Sequence, residues 1–63
     1  MTTGIVSLPS IATQIALHFD VEVSKLNFLE SAYGIDGCTV EVNGSWWDCY
    51  WEADCKVHTY LPA

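Results

Sequence analysis

The chain has 63 residues, so it holds one domain at most, and a single small core must carry it because a chain this short buries only about 60% of its unfolded surface. Eight Asp and Glu against two basic residues give a net charge of −6, which excludes holding phosphates by ordinary electrostatics and favours basic partners. Hydrophobic residues at 51% and aromatics at 13% exclude a disordered acidic tail.

The N-terminus, Met1-Thr2-Thr3-Gly4, lacks the positive region of a signal peptide, and no apolar run approaches the ~20 residues that span a bilayer. A cytoplasmic protein without membrane attachment is expected, and in a reducing compartment Cys38, Cys49 and Cys55 are expected as thiols packed like small hydrophobes. Charge is unevenly spread. Residues 1–19 carry no Asp, Glu, Lys or Arg, whereas Asp36, Glu41, Asp48, Glu52 and Asp54 follow one another with no basic residue between them.

Gly4-Ile5-Val6 could form a short edge strand, a point the sequence leaves open. Pro9 suits a first helical turn with Ser7 upstream as a cap, and Leu8, Ile11, Ala12, Ile15, Ala16 and Phe19 fall on one side at helical spacing. A first helix is predicted from about Pro9 to Phe19, with Thr13, Gln14, Leu17 and His18 on its wet side. Ser24 then reads as an N-cap, Leu26, Phe28, Leu29, Ala32 and Tyr33 share an arc, and Gly34 reads as a stop. The spacing predicts a second helix over about Lys25 to Tyr33. From Cys38 the period changes to two. Cys38 to Val42 reads as a strand, Asn43-Gly44 as a hairpin turn, and Ser45 to Glu52 as the return strand.

A two-residue turn pairs Val42 with Ser45 and, stepwise, Cys38 with Cys49. A last strand over about Lys56 to Leu61 keeps its apolar residues inward if Ala53-Asp54-Cys55 is the loop, pairing Trp51 with Val57, Cys49 with Thr59 and Trp47 with Leu61. The expected fold is α+β: two N-terminal helices packed on a three-stranded antiparallel β-meander.

In that register the other side of the sheet gathers Thr39, Glu41, Trp46, Asp48, Tyr50, Glu52, Lys56, His58 and Tyr60. Along the central strand aromatic and acid alternate every ~6.8 Å, twice the strand rise, a pattern no core requires. Trp and Tyr are favoured at interfaces, and carboxylates beside them can meet Arg through bidentate bonds. The expected partner-binding residues are Asp36, Glu41, Trp46, Asp48, Tyr50, Glu52, Asp54 and Tyr60. The competing reading makes Trp46 and Tyr50 ordinary core or a homodimer contact.

Other chemistries fit poorly. Cys38, Cys49, Cys55 and His58 are zinc-ligand types without paired Cys-x-x-Cys knuckles. Asp48 and Cys49 point to opposite sides of one strand, so with His58 they cannot form a nucleophilic triad. No phosphate-cradling glycine loop occurs. Neither an enzyme nor a cofactor or metal site is expected.

Gln14 to Leu29 resembles a helix-turn-helix, with Ala16, Val21, Leu26 and Leu29 at suitable places. Asp20 stands where that turn usually has glycine, and Lys25 faces Glu22 and Glu30 where base readout needs several cations. A degenerate regulator of this type, like a small accessory module, is an alternative. The profile as a whole resembles the small phage-encoded inhibitors of bacterial defence, the anti-CRISPR proteins. It is a short, acidic chain without catalytic motif whose acids Glu41, Asp48 and Glu52 are interleaved with Trp46 and Tyr50. The resemblance is one of profile, and no residue roles are carried over from it. It implies binding to a basic surface of a nucleic-acid-processing complex, often the channel that would otherwise receive DNA, as in a CRISPR surveillance complex, with no direct contact to nucleic acid.

Overall fold

The computed structural model of the chain describes residues 10–63. Pro9, Ser7, Leu8 and the Gly4-Ile5-Val6 segment lie outside the described residues. The architecture is one helix, α1 (Ile11–Phe19), followed by a four-stranded antiparallel sheet of β1 (Asn27–Phe28), β2 (Gly37–Val42), β3 (Ser45–Trp51) and β4 (Val57–Pro62), in the order β1-β2-β3-β4. It is an α+β domain, but not two helices on a three-stranded meander.

Ser10 caps α1. Its hydroxyl accepts from the Thr13 amide at 3.2 Å, satisfying one of the donors a helix start leaves orphaned. At the other end Asp20 adopts the left-handed conformation at φ 57° and donates its amide to the carbonyls of Ala16 and Leu17. Its short side chain tolerates this region, so aspartate does here what glycine commonly does.

The predicted second helix does not form. Val23–Lys25 and Glu30–Ala32 are isolated 3₁₀ turns, and between them lies the short strand β1. Asn27 pairs with Glu41 and Phe28 with Val40, and the Leu29 amide donates to the Thr39 carbonyl at 2.9 Å. Two forces favour this outcome. Asn, Phe, Ser and Tyr are weak helix formers, and nine residues make a marginal helix. Meanwhile β2 has backbone groups on its free edge that need partners. Leu26 and Phe28 are two apart, so as a strand they still reach the core that the helical arc was meant to reach. The would-be recognition helix is therefore absent, and the helix-turn-helix reading falls with it.

The β2–β3 hairpin has the expected register throughout, from Val42 opposite Ser45 to Cys38 opposite Cys49. Asn43 at φ 52° and Gly44 at φ 83° supply the two positive φ angles of a type I′ turn, whose twist matches that of the strands. The β3–β4 pairing begins as expected with Trp51 opposite Val57. It then slips, setting Tyr50 against Thr59, Cys49 against Tyr60, Asp48 against Leu61 and Trp47 against Pro62. His58 is thus an extra residue, a β-bulge. The bulge moves Tyr60 to the core side in place of the polar Thr59, where its ring meets Phe19 edge-on at 5.6 Å and stacks on His18 at 3.6 Å.

The core lies between α1 and the inner face of the sheet. Ile15, Val40, Val42 and Cys49 are fully buried, with Cys38, Trp51 and Ala16 nearly so, and each large aliphatic contributes about 1.5–3 kcal/mol by leaving water. Gln14 belongs to this packing and not to a wet side. Its amide nitrogen donates to the Cys55 carbonyl at 2.6 Å and its carbonyl accepts from the Val57 amide at 2.8 Å, tying α1 to the start of β4. Cys38 and Cys49 are buried, whereas Cys55 is exposed in the turn before β4, where φ is 59°. The expectation that all three thiols are core residues fails at Cys55.

Candidate functional site

Strand alternation places the side chains of Glu41, Trp46, Asp48 and Tyr50 on the sheet face away from α1, and the Glu30–Ala32 turn borders one end of that face through Ala32. Trp46 is 40% and Tyr50 42% exposed, which sets aside the reading of these aromatics as ordinary core. Glu41 lies opposite Trp46, and Asp48 opposite Thr39, so across the strands one acid meets an aromatic and the other a hydroxyl.

The acids are held in fixed orientations by neutral neighbours. Thr39 Oγ1 donates to Asp48 Oδ1 at 2.7 Å, and Asn27 Nδ2 donates to Glu41 Oε1 at 3.1 Å. Hydroxyl and amide donors position a carboxylate without neutralising its charge, and a carboxylate has acceptor sites to spare. The face therefore keeps its negative charge available to an incoming cation.

At one end of the face lies a depression of about 300 Å³ lined by Gly34, Asp36, Gly37, Thr39, Asp48 and Tyr50, together with Ala32 and Cys38. Gly37 sits opposite Tyr50. A Cβ there would come within 2.8 Å of the Tyr50 ring, so the tyrosine lies over a position only glycine can fill. The loop bearing Asp36 is pinned from both sides. Gly34 donates its amide to the Gly37 carbonyl at 2.8 Å, the Trp51 amide donates to the Asp36 carbonyl at 3.0 Å, and the Trp51 indole donates to the Ile35 carbonyl at 2.8 Å. Ile35 is left 95% exposed at the tip.

Three of the expected partner-binding residues do not join this group. Glu52 and Asp54 are exposed in the β3–β4 turn, where the Glu52 carbonyl accepts from the Cys55 amide and Asp54 Oδ1 accepts from the Lys56 amide. Tyr60 is carried to the inner side by the bulge. The face gains residues the sequence did not suggest: Leu61, half exposed and opposite Asp48, and Thr59, opposite Tyr50. The Gly34 and Gly37 spacing was the signal available for the depression.

On the inner side, burial pushes the Tyr33 and Tyr60 hydroxyls above their ordinary range. The Cys49 thiol hydrogen-bonds to Cys38, which holds Cys38 below its usual value and, with burial, pushes Cys49 well above it. No three His, Cys, Asp or Glu side chains among the described residues converge to hold a metal ion, and no helix among them is long and apolar enough to cross a membrane. In comparisons with protein-family models, curated proteins and solved structures, nothing matches the chain.

Proposed function

We propose that the protein is a binding module whose open sheet face docks on a basic protein surface, and that it acts as an inhibitor by occupying that surface. The observation that carries this reading is the side-by-side display of Trp46, Tyr50, Glu41 and Asp48 on a face left uncovered by α1. Carboxylates oriented by hydrogen bonds lose little entropy when they meet Lys or Arg, and the aromatics between them supply contact area at low conformational cost. The acidic excess of the whole chain adds electrostatic steering toward a cationic groove.

A DNA-binding channel is lined by such cations, and the profile resemblance makes a CRISPR surveillance complex the first partner to test. In a competition assay, the protein should displace target DNA from the purified complex. A variant carrying Glu41→Lys and Asp48→Lys should lose at least about tenfold in potency, the scale set by truncating a few interface anchors, while its thermal midpoint stays close to that of the parent. Raising salt should weaken the parent, because exposed charges are screened over about 8 Å at physiological ionic strength. Undiminished potency in the double variant would reject the face as the docking surface.

A further inference from the structure

We infer that the depression between Gly34, Gly37 and Tyr50 is the seat of a single arginine side chain presented by the partner, an inference that rests on the docking role just proposed. Shape, charge and an aromatic wall coincide there. The depression of about 300 Å³ has two glycines in its lining, and the Tyr50 ring packed over Gly37 closes one side. Asp36 and Asp48 border the same space. The Thr39 hydroxyl donates to one oxygen of Asp48, which restrains the carboxylate and leaves its other oxygen to accept.

A guanidinium suits this arrangement better than an ammonium. It is planar, stacks on an aromatic face and reaches carboxylates with paired donors, whereas lysine brings a strongly hydrated point charge. The Asp36 loop is secured to Trp51 through both the indole and the backbone, so the seat is formed before the partner arrives.

Gly34 allows a clean test. A Cβ at this position meets only the Gly37 carbonyl, at 3.8 Å, so Gly34→Leu adds bulk to the lining of the depression without a clash at its Cβ and removes no carboxylate. The probes are a hexa-arginine and a hexa-lysine peptide, titrated against the full chain while the amide NMR signals of Gly34, Gly37, Thr39 and Tyr50 are followed. The arginine peptide should bind about fivefold more tightly than the lysine peptide, the scale of one added stacking contact, and shift those amides most. In Gly34→Leu that preference should vanish while affinity for the lysine peptide is kept. Equal binding of both peptides by the parent, or an arginine preference surviving in Gly34→Leu, would overturn the seat yet leave a diffuse acidic docking face. Binding of neither peptide would overturn both. A parallel urea denaturation of Gly34→Leu, with a midpoint near that of the parent, shows that the fold is intact.

Discussion

The two faces of the sheet are made from the same strands and differ in what holds them. The inner face is defined by burial: Val40, Val42, Cys49 and Trp51 close on Ile15 of α1, and the positions tolerate little change. The outer face is defined by orientation, with Thr39 and Asn27 aiming Asp48 and Glu41 and with Trp46 and Tyr50 half in water. A face that stabilises the fold has no need of fixed carboxylates. Oriented carboxylates beside exposed aromatics are the contrast on which the proposed docking role rests.

Substitutions can break this contrast. The largest effect is expected at Ile15, fully buried at the centre of the core. Ile15→Ala should cost about 2–5 kcal/mol, a large fraction of what a domain of this size has, and urea denaturation should find the variant mostly unfolded. Trp46→Ala, a larger truncation on the opposite face, should change stability by less than about 1 kcal/mol. If the two cost the same, the outer face is part of the core and the docking reading loses its basis.

Gln14 comes next. Its side chain joins α1 to β4 through the Cys55 carbonyl and the Val57 amide. Gln14→Ala should cost about 1 kcal/mol or somewhat more, because it leaves the part-buried Val57 amide without its partner. Hydrogen exchange should show the Val57 amide losing protection while the amides of β2 keep theirs. An unchanged Val57 amide would mean that the clasp does not hold β4.

How far the sequence disclosed this molecule follows from the range of the interactions. The β2–β3 hairpin was legible pair by pair, since Asn43-Gly44 and strict alternation are local facts. The segment 25–33 was not, because Leu26, Phe28, Leu29, Ala32 and Tyr33 make a helical arc while Leu26 and Phe28, two apart, also fit one face of a short strand. The free edge of β2, a tertiary feature, decides between them. The bulge at His58 was equally hidden: a register without it also keeps Val57 and Leu61 inward, and the slip sets Tyr60 instead of Thr59 against Cys49 and Pro62 instead of Leu61 against Trp47. Glu41, Trp46, Asp48 and Tyr50 were legible because they sit on the hairpin. Tyr60 was misplaced because it sits beyond the bulge, and the depression was hidden because the loop bearing Asp36 meets Asp48 and Tyr50 only in the folded chain.

The smallest effect sharpens the inner side of the comparison by pH. Burial raises the hydroxyls of Tyr33 and Tyr60 above their ordinary value, which for tyrosine is about 10. Both rings keep some contact with water, so the effect is modest. The unfolded chain releases these protons first as pH rises, the folded chain then binds more protons than the unfolded one, and stability falls with pH through that interval. Below it both states are protonated and the contribution is complete. Thermal midpoints measured from pH 9 upward should therefore decline, and the decline should be shallower in a Tyr33→Phe, Tyr60→Phe double variant, which keeps the rings against Trp51 and His18 and removes the titrating groups. An equal slope in parent and double variant would place the alkaline sensitivity elsewhere, and the inner face would then be less sealed from solvent than its packing implies.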